Sequence, residues 1–475
     1  MPRLDRFECL AVITICVATA SGCKVADPCD QANADPETCS GNSLKHYLDA
    51  PPAERVPTMT ELRTTVTTPA SRACTSIHCA TGGLAYGPDP KHKLEIFYPR
   101  PSDPAPDGVV FYVHGGAWNA FDDTVDPHLA LDDTNSCSPG WDVECDRPVH
   151  EAARRLTRRG FILVSIDYRE AGWANGQPVN SFPTPLMDVK RAIRWVKQHL
   201  VNEAGFSTAQ ISPFVGIGHS AGANLISLAA VTAGQHEPAD APTQFDSKLD
   251  GVVNIGGVLD MRTWLTTNYA RLSQTPPEPF PPFQLLKEIS EYLGCSVAGS
   301  GYAVSAGFPA CCTGGGGVQG SSPCHEPGSG ALQFSPKVDA ASVHWGGATT
   351  SYLDALDPPF YVALSTRDGL VPPATSCHAA VWYDQHSYPN ETASRTHDFW
   401  VDLIEEGFPN FSHGPGAQDG LYFANWIQGH AVKGLNLNAL EMFFVGLRDA
   451  PGHFAPPDPA LTQEQRAFAL CADYQ

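Results

Sequence analysis

From residue 91 onward, short apolar runs bounded by Pro and Gly alternate with segments whose apolar positions recur at helical spacing. The runs 94–98, 109–113, 161–167, 214–217, 252–255, 360–364 and 440–447 are rich in β-branched and aromatic residues and predict strands. Between them, 149–159, 184–204 and 221–230 predict helices. The second is the strongest: Thr184 as cap and Pro185 as first helical residue open it, Leu186, Val189, Ile193, Val196 and Leu200 form one face, and Gly205 closes it. Strands that alternate with helices predict an α/β fold, with a mainly parallel sheet covered on both faces. Three blocks interrupt the alternation, at 119–148, 262–350 and 385–435, and are expected to be insertions in a domain covering 91–475.

The first 90 residues follow another logic. Arg3 and Arg6 precede an apolar run of 11 residues, 10–20, which is too short to span a bilayer and reads as an export signal over 1–22. Ala20-Ser21-Gly22-Cys23 resembles a bacterial lipobox, so Cys23 is the expected lipidation site and the only expected contact with a membrane. Residues 23–90 are polar and rich in Pro, Asp and Thr, the composition of a tether. Of 15 cysteines, 12 follow Cys23, an even number that suits disulfides in an oxidising compartment. Short spacings suggest Cys29 with Cys39, Cys74 with Cys79 and Cys137 with Cys145, with Cys295, Cys311, Cys312 and Cys324 pairing among themselves. That leaves Cys377 with Cys471. The cap insertions would thus be stapled by disulfides.

Two motifs carry chemistry. Gly218-His219-Ser220-Ala221-Gly222 lies between a predicted strand and a predicted helix, where a tight corner leaves no room for side chains beside an exposed serine. About 100 residues earlier, His114-Gly115-Gly116-Ala117-Trp118 follows another strand, and its backbone N–H groups can approach a carbonyl oxygen on which charge develops.

Together these motifs resemble the α/β-hydrolases of the esterase and lipase group, over roughly 90–260 and 332–460. The resemblance implies Ser220 as nucleophile and the backbone amides of Gly116, Ala117 and Ala221 as oxyanion hole, with Gly115 the neighbour onto which the register could slip. In that family the acid follows the next-to-last strand and the base follows the last. Asp368, in Ser365-Thr366-Arg367-Asp368-Gly369, then corresponds to the acid, with Asp260 as alternative. His453, after the run 440–447, corresponds to the base, with His413 as alternative. The 85 residues between Asp368 and His453 exceed the family's usual spacing.

Composition narrows the partners. Against 30 Lys and Arg stand 51 Asp and Glu, a net charge of −21, which excludes a nucleic-acid binder held by phosphate contacts. Gly and Pro, 42 each, call for long ordered loops rather than a helical bundle. The 17 histidines show neither H-E-x-x-H nor H-x-H spacing, so no metal is expected. No cofactor is expected either. The implied substrate is a small-molecule or polymer-linked ester, with amide or peptide hydrolysis on the same scaffold, as in formamidases, and a non-catalytic surface binding protein as rivals. The N-terminal reading is checked by mass spectrometry of the mature protein from a bacterial host. An acylated Cys23 is the expected result, and a free N-terminus elsewhere would exclude the anchor.

Overall fold

The computed structural model describes residues 84–99, 104–118, 156–157, 159–174, 177–272, 292–293, 341–343, 352–353, 357–365, 371, 374–377, 379, 399–404, 443, 447 and 471. Ten strands are present among them: β1 Leu84–Ala85, β2 Lys93–Phe97, β3 Val109–Val113, β4 Ile162–Ile166, β5 Gly172–Ala174, β6 Gln177–Val179, β7 Phe214–His219, β8 Gly251–Ile255, β9 Phe360–Ser365 and β10 Phe399–Ile404. The helices are α1 Thr184–Asn202, α2 Ala221–Val231 and α3 Met261–Leu272. Eight strands form one sheet in the order β1-β2-β4-β3-β7-β8-β9-β10, and β5 and β6 form a separate antiparallel hairpin.

From β4 to β10 all neighbours are parallel, while β2 runs antiparallel to both β1 and β4. The central strands are mostly apolar because they are covered on both faces, with Ser165 in β4 and Asn254 in β8 as buried polar exceptions. β3, β4 and β8 are buried at every residue. The apolar face of α1 lies on this sheet, with Leu186, Val189, Ile193, Val196 and Leu200 fully buried. Each contributes roughly 1.5–3 kcal/mol before ordering entropy is counted. A charge at Ile193 would undo that packing. The helix starts one residue earlier than its sequence suggests: Pro183 is the cap and Thr184 the first helical residue. Gly205, with φ of 79°, takes the left-handed turn that ends it.

One expected strand is corrected. Phe443 and Leu447, within the run 440–447, have helical backbone where a strand is expected. They are four residues apart, and both are fully buried beside the sheet, where Tyr361 packs on Phe443 at 5.8 Å between ring centroids. Among the described residues the last strand of the sheet is β10, paired in parallel with β9 over six residues. It lies inside the block 385–435 that the sequence treats as an insertion, so that block contributes a strand to the sheet.

The Cys377–Cys471 disulfide is present and both residues are buried. The other expected pairings, and Cys23, lie outside the described residues. Cys377 belongs to a short helical stretch beside the segment that follows β8, where Ser376 donates to the Gly257 carbonyl at 2.9 Å and the Thr375 carbonyl accepts from the Asp260 amide at 2.9 Å. The bond spans 94 residues, and closing a loop of that size stabilises a folded chain by on the order of 4–5 kcal/mol. Cys377→Ser should therefore lower the thermal midpoint measured without reductant. An unchanged midpoint would show that the cross-link contributes nothing.

Candidate active site

Ser220 is the single residue between the end of β7 and the start of α2. Reversing the chain within one residue forces it to φ 52° and ψ −118°, a conformation that costs on the order of 1–3 kcal/mol. Its neighbours hold it there. The Ser220 amide donates to the Ile255 carbonyl of β8 at 2.9 Å, and its own carbonyl accepts the first helical bond from Asn224 at 3.1 Å. The flanking glycines permit the approach. A Cβ at Gly218 would lie 2.5 Å from the Gly222 backbone, and one at Gly222 would fall under 3.0 Å from the carbonyl oxygens of both Val113 and His114. The helix after the serine therefore rests directly on the backbone that leaves β3.

That backbone is the His114-Gly115-Gly116-Ala117-Trp118 loop. A Cβ at Gly115 would meet Ser220 Cβ at 3.3 Å and His219 Nδ1 at 3.0 Å, so the two motifs found in the sequence are in contact. Gly116, Ala117 and Trp118 follow with φ of 107°, 52° and 61°. Ala221 opens α2, and the first amides of a helix have no acceptor within it. Ser220, Gly116, Ala117 and Ala221 are thus gathered in one corner at the C-terminal edge of the parallel sheet. Asp368, three residues beyond β9, lies outside the described residues, as do His453 and His413.

The loop is supported by residues the sequence did not single out. Tyr168 stacks on the His114 ring, with centroids 4.3 Å apart, and its hydroxyl donates to the carbonyls of His114 at 3.3 Å and Gly115 at 3.4 Å. Burial, together with the nearby carboxylates of Glu170 and Asp167, holds the Tyr168 phenol well above its ordinary pKa, so it remains a donor. His114 places Nδ1 2.7 Å from the Gly115 carbonyl and Nε2 3.3 Å from Asp167 Oδ1.

Arg169, next in sequence, fixes this support to α1. Its guanidinium donates to both oxygens of the fully buried Asp188, at 2.9 and 2.7 Å, and its amide donates to Asp188 Oδ2 at 3.0 Å. His92 Nδ1 accepts from the Asp89 amide, which leaves Nε2 to donate to Asp188 Oδ1 at 2.8 Å. Burial alone would raise the Asp188 carboxyl, but the hydrogen bonds from Arg169 and His92 and the charge of the Arg169 guanidinium outweigh it and hold the group below its usual value. The sequence signal was Asp167-Tyr168-Arg169 directly after a strand. Nothing in its spacing pointed to Asp188, 19 residues on.

Asp260, the alternative acid, caps α3. Its Oδ1 accepts from the Thr263 amide at 3.0 Å and its Oδ2 from the Thr263 hydroxyl at 2.7 Å. Among the described residues no cluster of His, Cys, Asp and Glu is arranged to hold a metal ion.

A sheet in this strand order with its second strand reversed, and a serine at the corner between a central strand and its helix, are the features of an α/β-hydrolase fold. Within it, similarity runs to esterases. The BD-FAE family model matches residues 140–280. The probable carboxylic ester hydrolase LipM of Mycobacterium tuberculosis is 33% identical over 188 residues, and esterase LipC of the same organism 30% over 192. These stretches cover 38% and 40% of this chain and 40% and 39% of those relatives, so the chain spans well under half the length of either. Among solved structures, a truncated carbohydrate esterase from gut microbiota aligns over 73% of this chain and 93% of its own, with 17% identity and a TM-score of 0.42.

The contact at Gly222 is open to a direct test. Gly222→Ala places a methyl group against two carbonyl oxygens and should destabilise the fold by about 1–3 kcal/mol, read as a lower urea midpoint at unchanged slope. Gly172→Ala is the control, since a Cβ there meets nothing nearer than 3.8 Å. Equal midpoints for the two variants would show that the motifs do not bear on one another.

Proposed function

We propose that the protein hydrolyses carboxylic esters through an acyl-enzyme formed on Ser220. The observation that carries this reading is the contact between the Gly115 loop and the Ser220 corner, which sets a nucleophile beside a row of backbone donors. The esterase relatives support the same reaction class. Ser220 Oγ attacks the ester carbonyl as its proton passes to a histidine, and the amides of Gly116, Ala117 and Ala221 receive the charge on the carbonyl oxygen. The alcohol leaves with that proton. Water then attacks the acyl-enzyme by the same route, and the acid is released. Asp368, after the next-to-last strand β9, orients the imidazole.

The corrected sheet changes the choice of base. A base following the last of the described strands follows β10, and His413 stands nine residues beyond Ile404 in the sequence. His453 instead comes six residues after the helical Leu447, so the reason for preferring it falls away. We therefore assign the base to His413. Export, with attachment through Cys23, belongs to the same proposal. It is supported by the N-terminal pattern and by a buried disulfide that suits an oxidising compartment.

Ser220→Ala should lower kcat on p-nitrophenyl esters by at least about 10⁴-fold, and a fluorophosphonate should label the wild type at Ser220 alone. Undiminished labelling of the Ala variant would remove the nucleophile assignment. His413→Ala should cost at least about a thousandfold in kcat and His453→Ala less than about tenfold. The opposite ranking would return the base to His453. An ester and its matched anilide, assayed together, separate esterase from amidase, and faster turnover of the anilide would favour the amidase.

A further inference from the structure

Three successive residues of the oxyanion loop, Gly116, Ala117 and Trp118, have positive φ, and two of them carry a Cβ. Such a backbone persists only where its surroundings over-determine it. Tyr168 holds the first half of the loop through the carbonyls of His114 and Gly115. The second half is held from elsewhere. The Trp118 carbonyl accepts from the Ala171 amide at 2.6 Å, and its indole stacks on the Tyr292 ring with centroids 4.5 Å apart and planes 11° from parallel.

Tyr292 is fully buried, and its remaining contacts lead back to the nucleophile. The phenol donates to Asn224 Oδ1 at 3.3 Å, and the Asn224 amide bonds the Ser220 carbonyl one helical turn earlier. The Asn224 side-chain amide in turn donates to the carbonyls of Val258 at 2.8 Å and Ala341 at 3.1 Å. On its other side, the Tyr292 carbonyl accepts from the Phe182 amide at 2.6 Å, and its ring meets the Phe182 ring edge-on at 5.9 Å, just ahead of α1. One residue from the 262–350 block therefore touches the oxyanion loop, the nucleophile helix and the approach to α1.

We infer that Tyr292 is a positioning residue whose ring fixes the Ala117–Trp118 backbone relative to Ser220, so that the oxyanion amides are in place before a substrate arrives. The catalytic consequence rests on the hydrolase reading above; the mechanical one rests on these contacts alone. Fixed donors act on charge that exists only in the transition state, so releasing them lowers kcat and leaves KM nearly unchanged. A residue that merely lined the pocket would move KM.

Two substitutions separate the ring from the hydroxyl. Tyr292→Phe keeps the stack, and Tyr292→Met keeps the bulk without an aromatic face. With p-nitrophenyl acetate, Tyr292→Met should lower kcat by about 30-fold or more with KM within about threefold, and Tyr292→Phe should keep kcat within about threefold of wild type. Hydrogen exchange of the peptide covering 112–118, which needs no substrate, should be at least about tenfold faster in the Met variant and unchanged in the Phe variant. Equal kcat losses in the two variants, a rise in KM with kcat retained, or unaltered exchange would each overturn the inference. Should the Met variant not fold, Trp118→Leu, which removes the other face of the stack, should lower kcat by about 30-fold or more with KM within about threefold and speed exchange of 112–118 likewise, and retained kcat would overturn the inference. Exchange that behaves as expected in a protein that hydrolyses no ester would uphold the mechanical link and reject the hydrolase reading.

Discussion

Backbone lies on backbone where α2 meets the end of β3, and the site depends on that contact. No side chain fits between Gly222 and the carbonyls of Val113 and His114, nor between Gly218 and the first turn of α2. The spacing between Ser220 and the glycine loop after β3 is thus set by the van der Waals radii of main-chain atoms, which leaves little scope for drift. The strained Ser220 backbone follows, because β7 must become α2 within one residue to keep that approach. Strain and closeness are two aspects of one constraint.

Support is layered outward from this corner. Tyr168 and His114 grip the loop, Asp167 sits against His114, and Arg169 ties that short segment to Asp188 on α1. His92, on the turn before β2, closes the network from the other side. Removing one partner from such a buried ionic cluster leaves a charge uncompensated, which costs far more than the intact cluster gains over an apolar equivalent. Its role is therefore better understood as fixing geometry than as adding stability. Tyr292 performs the corresponding task for the far half of the loop by aromatic contact.

Much of the sheet was legible because its central strands are buried on both faces and read as mostly apolar runs. Val109–Val113 was delimited to the residue, and the two glycine motifs announced their corners because steric exclusion there admits few alternatives. The edge was not legible. In β10, Asp402 interrupts the apolar residues and polar stretches flank it, so no clean strand pattern stands out. The stretch 440–447 has the stronger apolar run, and over so few residues a buried strand and a buried helix look alike. The four-residue interval between Phe443 and Leu447, both facing the sheet, was the available hint. Tyr292 left no trace in any pattern, because its partners are dispersed between residues 118 and 224.

The Cys377–Cys471 bond draws a covalent ring through the last fifth of the chain, and that ring contains β10, His413 and His453. A protease that cut the main chain anywhere between those cysteines would yield two polypeptides and still one particle, joined through sulfur and, for a cut ahead of β10, through the β9–β10 ladder as well. Mass on a denaturing gel would then depend on whether reductant was present, while the assembly in solution kept its size. For a protein read as exported, the ring turns a single peptide-bond cleavage from a route to loss of the C-terminal part into a change of connectivity.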